Sequence, residues 1–264
     1  MGLRSRLGYV ADRTGLTWFR RLLGAGGRSD APFLLLPELI EKPAGTRVVV
    51  LAPHADDEVL GCGGTIYKQH LAGDRVTAVF MTDGREGHEN AGGIRGDALV
   101  ELREREARAA SETLGIDDCV FLRNPDTALA ASPETVAQVS AVLRARQPGV
   151  LFVPSPMDTH RDHRQTCVIA AKALAACSLP MEVYLYEIWA PVPANCAVVI
   201  DLERKLEALR AHRSQLDEKE LYVSVATSLA HYRGITCLPG RDIPVECFLR
   251  LDCAAFVDLM ANEA

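Results

Sequence analysis

From Thr46 onward, short runs rich in β-branched residues alternate with longer segments of helical period, and few architectures accept that pattern. Arg47-Val-Val-Val-Leu-Ala52 is too short for an ordinary helix and apolar on both sides, as a strand buried on both faces of a parallel sheet must be. Val59 to Leu71 then reads as a helix, Arg75 to Met81 as a strand, Ala98 to Leu114 as a long charged helix and Cys119 to Leu122 as a strand. Pro133 to Arg146 is helical again, Val150 to Val153 a strand and His163 to Cys177 a helix. Such alternation predicts an α/β, Rossmann-like, mostly parallel sheet with helices on both faces, joined by right-handed crossovers. Later segments are more mixed, with strands expected at Val183 to Glu187, Ala197 to Ile200 and Val245 to Leu251 and a helix at Leu202 to His212. In such folds the site is expected in the crevice at the carboxyl ends of the strands.

The 264 residues suffice for one domain of this kind. Residues 1–44 read as an N-terminal arm, because Gly24 to Gly27 and Pro32, Pro37 and Pro43 interrupt a rough helical spacing, which leaves 45–264 as the main domain. The arm offers a surface for a homo-oligomer. Trp18 and Phe19 beside basic residues also suit a membrane-surface helix, although arginines break up every candidate leader and no apolar run is long enough to span a bilayer. With 29 Lys and Arg against 35 Asp and Glu, the net charge of −6 argues against nucleic acid as a partner and for a small soluble substrate. Eight cysteines are scattered singly without a CxxC pair and read as free thiols in a reducing cytoplasm.

Two clusters carry chemistry. Pro53-His54-Ala55-Asp56-Asp57-Glu58 follows the first strand directly and crowds an imidazole with three carboxylates. Asp56 or Asp57 alone is compatible with a helix cap, but adjacent carboxylates repel, and a nearby cation relieves that cost. Asp158-Thr159-His160-Arg161-Asp162-His163 follows the strand at Val150 to Val153 through Pro154-Ser155-Pro156, and two histidines three apart at a helix start can face one way. His with carboxylate is a zinc-like ligand set. Gly61-Cys62-Gly63-Gly64 lacks the lysine and spacing of a phosphate loop and reads as close helix packing, and GxGxxG is absent after Leu51, which argues against a dinucleotide-binding module. Glu58 reads as a support for a metal-binding His or as the start of a helix; His88 sits in a Gly-rich loop, and His70 and His231 belong to no constellation.

Pro53 to Glu58 resembles the Pro-His-Pro-Asp-Asp-Glu signature of the LmbE/PIG-L family of zinc deacetylases, and His160 to His163 resembles that family's His-x-Asp-His motif. Thr82-Asp83-Gly84, Arg103 with Glu106, Pro125-Asp126, His212 to Gln215 and Val245 to Phe248 extend the resemblance from about Thr46 to Leu251, while Ala55 replaces the usual second proline. The resemblance implies that His54, Asp57 and His163 bind Zn2+, with Fe2+ as the alternative occupant, and that Asp56 is the general base. It implies further that His160 is the electrophilic partner, oriented and kept cationic by Asp162, and that Arg103 and Asp126 hold sugar hydroxyls. The activity it implies is removal of an N-acetyl group from an N-acetylglucosamine-type conjugate. The alternatives are hydrolysis of another small acyl amide and a catalytically silent zinc- or nucleotide-binding module. An Arg- and Ala-rich composition resembles that of proteins from high-GC bacteria and suggests a biosynthetic setting.

Overall fold

The computed structural model describes residues 36–87, 91–177, 179–216, 220–238 and 241–261. His88 and most of the expected arm lie outside the described residues. In chain order the elements are β1 (Glu38–Ile40), β2 (Arg47–Ala52), α1 (Asp57–Leu71), β3 (Arg75–Thr82), α2 (Asp97–Leu114), β4 (Asp118–Asn124), α3 (Pro133–Arg146) and β5 (Val150–Pro154). They continue with α4 (Arg161–Cys177), β6 (Glu182–Tyr186), β7 (Cys196–Val199), α5 (Leu202–Leu209), a 3-10 turn (Arg213–Gln215), α6 (Leu221–Cys237), β8 (Val245–Asp252) and α7 (Cys253–Ala261). The expected alternation through Cys177 is present, with ends shifted by a few residues. The helix expected at Leu202 to His212 stops at Leu209, and the helices α6 and α7 were not anticipated. Residues 38–40, assigned above to the arm, are an edge strand in register with β7.

The eight strands run in the order β1-β7-β8-β6-β5-β2-β3-β4. Only β8 is antiparallel to its neighbours. The chain leaves β2 towards β3 and β4, then returns to place β5 on the other side of β2, so the strand order reverses between β2 and β5. Val48, Val49 and Val50 of β2 lie opposite Val150, Leu151 and Phe152 of β5. Their carboxyl ends therefore open side by side, and the two sequence clusters emerge from that crevice.

Burial on both faces explains the uninterrupted apolar run of β2. Val48 and Val50 join a core with Val59, Ile66, Phe152, Tyr184 and Phe248, while Val49 and Leu51 point the other way and are equally inaccessible. Each such side chain contributes about 1.5–3 kcal/mol relative to exposure. The helices pack in two sets, α1 with α2, α5 and α6, and α3 with α4 and α7.

The glycines of α1 are packing devices, as expected. A Cβ on Gly61 would stand 2.2 Å from the Tyr186 ring, and one on Gly64 would stand 2.5 Å from Ile200. The helix breaks at Cys62 (φ −148°, ψ 19°), and a buried ion pair repairs the break. Lys205 Nζ donates to the Leu60 carbonyl at 2.8 Å and to Glu246 at 2.7 Å, while the Glu246 carboxylate accepts from the amides of Gly64 and Thr65. Glu246 thereby supports the helix behind the first cluster. All eight cysteines are free, five of them buried. Among the described residues no helix is long and apolar enough to cross a membrane.

Candidate active site

Asp56 occupies the N-cap position of α1, yet its side chain makes no capping bond. Its backbone carbonyl accepts from Val59 and Leu60, and its φ of 130° lies in a region that L-residues rarely adopt. The carboxylate is thus not spent on the helix, which answers the alternative of a simple cap. Asp57 turns back onto the loop: its Oδ2 accepts from the His54 backbone N–H at 2.9 Å.

The two clusters converge on that oxygen. Asp57 Oδ2 lies 3.2 Å from His54 Nδ1 and 3.2 Å from His163 Nε2. The outward nitrogens of both rings face carboxylates. His54 Nε2 is 3.1 Å from Asp126 and 3.3 Å from Asp162, and His163 Nδ1 is 3.2 Å from Asp158 Oδ2. His160 completes the group, with its ring 4.7 Å from that of His54 and 5.0 Å from that of His163. Donor atoms of His54, His160 and His163 lie within 4.8 Å of one another, as do those of His54, Asp126 and Asp162. His54 Nδ1 and His163 Nε2 both border Asp57 Oδ2, whereas His54 Nε2 borders Asp126 and Asp162. A zinc ion with bonds of about 2.0–2.1 Å holds its donors about 3.3 Å apart, close to the spacing seen around Asp57 Oδ2.

Charge explains why a cation fits. Asp56, Asp57, Asp126, Asp158 and Asp162 are all buried around three imidazoles. Burial pushes the Asp56 carboxyl up to about 7, helped by the neighbouring Asp57 charge, while Arg103 opposes the rise. Burial would raise Asp57 too, but His163 and His54 hold it well below the usual carboxylate range. Burial disfavours the His163 cation, yet Asp57 and Asp158 raise that imidazole to about 9. His54 is likewise raised, against its burial, by Asp126, Asp162 and Asp57. Protons on these rings supply positive charge that a divalent ion would supply in their place.

The Asp162 carboxylate does not orient the His160 ring: it faces His54 and accepts from the amides of Thr127 and Leu129, and only the Asp162 backbone N–H reaches His160, at Nδ1. Burial lowers the His160 pKa, and the neighbouring His54 and His163 lower it further, while Asp162 and Asp57 act in the opposite direction. Arg103 is buried, and its two terminal nitrogens donate to the carbonyls of Gly84 and Ala55 while standing 4.0 Å from Asp56. Gly84 and Gly87 make room for it, since a Cβ at either would come within 2.9 Å and 2.3 Å of its guanidinium. Asp126 accepts from Thr127 and Glu86 amides besides facing His54, which holds its carboxyl down to about 2 against burial. Both residues are engaged in building the site.

Asp158 is the residue whose role the sequence reading missed. Its Oδ1 accepts from His160 N–H at 2.8 Å, and its Oδ2 accepts from Trp189 N–H at 3.2 Å beside His163. Its place at the head of the second cluster was the available signal. His212, picked out only as part of a C-terminal signature, is buried 3.4 Å from Glu58 Oε1, and that carboxylate raises its pKa against the effect of burial. Ser214 anchors the same turn by donating its N–H and hydroxyl to Glu106.

A reversal of strand order carrying histidines and carboxylates from adjacent strands defines an α/β protein with a candidate mononuclear metal site. Residues 49–174 match the PIG-L family, described as GlcNAc-PI de-N-acetylase. The chain is 30% identical over 211 residues to the diacetylchitobiose deacetylase of Thermococcus kodakarensis, covering 71% of this chain and 78% of that protein. It is 29% identical over 160 residues to the 1D-myo-inositol 2-acetamido-2-deoxy-α-D-glucopyranoside deacetylase of Geodermatophilus obscurus, covering 51% of this chain and about half (54%) of that relative. The structure of the Pyrococcus horikoshii N,N'-diacetylchitobiose deacetylase superposes with a TM-score of 0.73 at 29% identity, over 80% of this chain and 85% of that one. The chain belongs to the PIG-L (LmbE) family.

Proposed function

We propose that this protein is a metal-dependent hydrolase that removes the N-acetyl group from an N-acetylglucosamine-type sugar conjugate, releasing acetate and a free amine. The observation that carries the reading is the convergence of His54 Nδ1, His163 Nε2 and Asp57 Oδ2, each ring backed on its far nitrogen by a carboxylate. That backing is how metal-binding histidines are commonly fixed in tautomer and orientation. Zn2+ suits the donor set, with Fe2+ as the alternative; when bound, the metal polarises the acetamide carbonyl and makes a nearby water more acidic.

The chain's own residues supply the proton transfers. Asp56, raised to about 7, takes a proton from the water that adds to the acetyl carbon and returns it to the nitrogen as the C–N bond breaks. His160 accepts the Asp162 backbone N–H at Nδ1, so its neutral ring carries the proton at Nε2 and donates from there to the oxygen that gains charge. Arg103, tied to Ala55 and Gly84, keeps the Asp56 loop against the loop after β3. His54 and His160 are less buried than the other site residues, so substrate enters on their side. The names of the relatives support an amino-sugar acetamide as substrate. The free thiols support a cytoplasmic setting.

The test is acetate release from N,N'-diacetylchitobiose and from N-acetylglucosamine conjugates of inositol and malate, using zinc-loaded protein and its Asp56→Asn variant. Release by the parent and its loss by roughly a hundredfold or more in the variant is expected. Equal turnover by both would remove Asp56 from its role, and release from none of the panel would remove the substrate class.

A further inference from the structure

Five non-glycine residues among those described have positive φ. Four of them, Arg123, Thr127, Gln147 and Glu220, have φ between 45° and 60°, the φ range of the left-handed helical basin in which Gln147 and Glu220 sit. Asp56 alone stands at 130°, with ψ −23°, outside it. A backbone held there persists only where its surroundings over-determine it.

The surroundings can be named. The Asp56 N–H donates to Glu58 Oε2 at 3.0 Å, a bond directed backwards from the first turn of α1. Glu58 is wholly inaccessible to solvent, and its other oxygen faces His212 Nε2 at 3.4 Å. His212 is itself buried, held at the turn after α5 by the Ser214 bonds to Glu106 on α2. On the other side, Arg103 from α2 holds the Ala55 carbonyl. The peptide between Ala55 and Asp56 is therefore gripped at its oxygen by Arg103 and at its nitrogen by Glu58. Nothing about a helix start requires a buried glutamate with a buried histidine behind it, and α1 would be better served by an Asp56 side chain that capped it.

We propose that Glu58, backed by His212, is a positioning residue: it locks the Asp56 peptide in its strained conformation and so keeps the Asp56 carboxylate off the helix amides and available for proton transfer. The inference rests on the reading of Asp56 as the base, but the strain it invokes can be measured without turnover.

The first measurement is a melting-temperature cycle on the full chain, with Asp56→Gly and Asp56→Ala placed in the parent and in Glu58→Ala. Glycine tolerates positive φ and alanine does not, so Asp56→Gly melts several degrees above Asp56→Ala in the parent. In the Glu58→Ala background the peptide relaxes and that advantage disappears. An equal advantage in both backgrounds, or none in the parent, overturns the proposal. The second is steady-state kinetics of zinc-loaded Glu58→Ala and Glu58→Gln. Glu58→Ala lowers kcat roughly ten- to a hundredfold with KM and bound metal unchanged, because the base is misplaced while its neighbours are not. Glu58→Gln recovers most of the loss, since its amide oxygen still accepts the Asp56 N–H. Unchanged kcat in Glu58→Ala, or equal losses in both variants, overturns the proposal. If Glu58→Ala does not fold, Glu58→Met, which fills the space without an acceptor, replaces it in both measurements. Retained turnover in Asp56→Ala would refute the base assignment, while the melting cycle would still decide whether Glu58 holds the strain.

Discussion

Asp158 meets His160 only at its backbone N–H, yet replacing it by Asn is expected to weaken metal binding, and the size of the effect follows from its contacts. Its carboxylate meets the His163 ring at Nδ1 and accepts two backbone N–H groups, from His160 and Trp189. Asn keeps the shape but has one acceptor oxygen and an NH2 group. Whichever way the amide is turned, one backbone N–H loses its partner, at a cost of about 1–3 kcal/mol in folding stability. The loss of negative charge beside Nδ1 makes His163 a poorer ligand and loosens its orientation. Partners of this kind typically change metal affinity roughly 10- to 100-fold, or about 1.4–2.7 kcal/mol. Competition against a chromophoric chelator measures the zinc Kd, and thermal unfolding of the metal-free protein measures the stability. A Kd within twofold of the parent, in a folded variant, would refute the argument that Asp158 orients a metal ligand.

Other perturbations separate packing from chemistry. Gly61→Ala drives a methyl into the Tyr186 ring and should cost about 1–3 kcal/mol, seen as a lower melting temperature with α1 intact by circular dichroism. Lys205→Met leaves the buried Glu246 unpaired and should cost about 3–5 kcal/mol by denaturant unfolding; adding Glu246→Leu should recover part of that loss rather than deepen it. In metal-free protein, Asp56 has its folded pKa raised from 3.8 to about 7, so its contribution is fully present below pH 3.8 and is lost as pH rises through 7. His163, raised from 6.5 to about 9, adds a loss of the same sign at higher pH. The melting temperature should therefore fall between pH 5 and 8, less steeply in Asp56→Asn, and an identical slope in that variant would contradict the Asp56 shift.

The sheet as far as α4 was legible because its strands are buried on both faces and so read as unbroken apolar runs. The later half was not. Helix α6 buries only small residues at helical spacing, Val223, Ala226, Ala230, Gly234 and Cys237, while Leu221, Tyr232 and Ile235 are exposed, so no apolar stripe stands out. The strand β1 is three residues long, and its pairing with β7 involves a partner more than 150 positions away, which no local pattern encodes. Both clusters of the site were legible as motifs. Their internal wiring was not, because a motif gives residue types and order but not which nitrogen of a ring meets which oxygen. Hence the facing of the Asp162 carboxylate towards His54, and the bonds of Arg103 and Asp126 within the protein, could not be read from the motifs. The strain at Asp56 leaves no mark in the sequence, since an aspartate at a helix start is ordinarily just a cap.

Metal content measured by elemental analysis, after zinc loading and removal of loosely bound ion, tests the central claim most directly when the parent is compared with Asp57→Ala and His163→Ala. The geometry predicts close to one ion per chain in the parent and near none in either variant, with all three folded. No retained metal in the parent, or the same content in all three, would contradict a metal held between His54, Asp57 and His163.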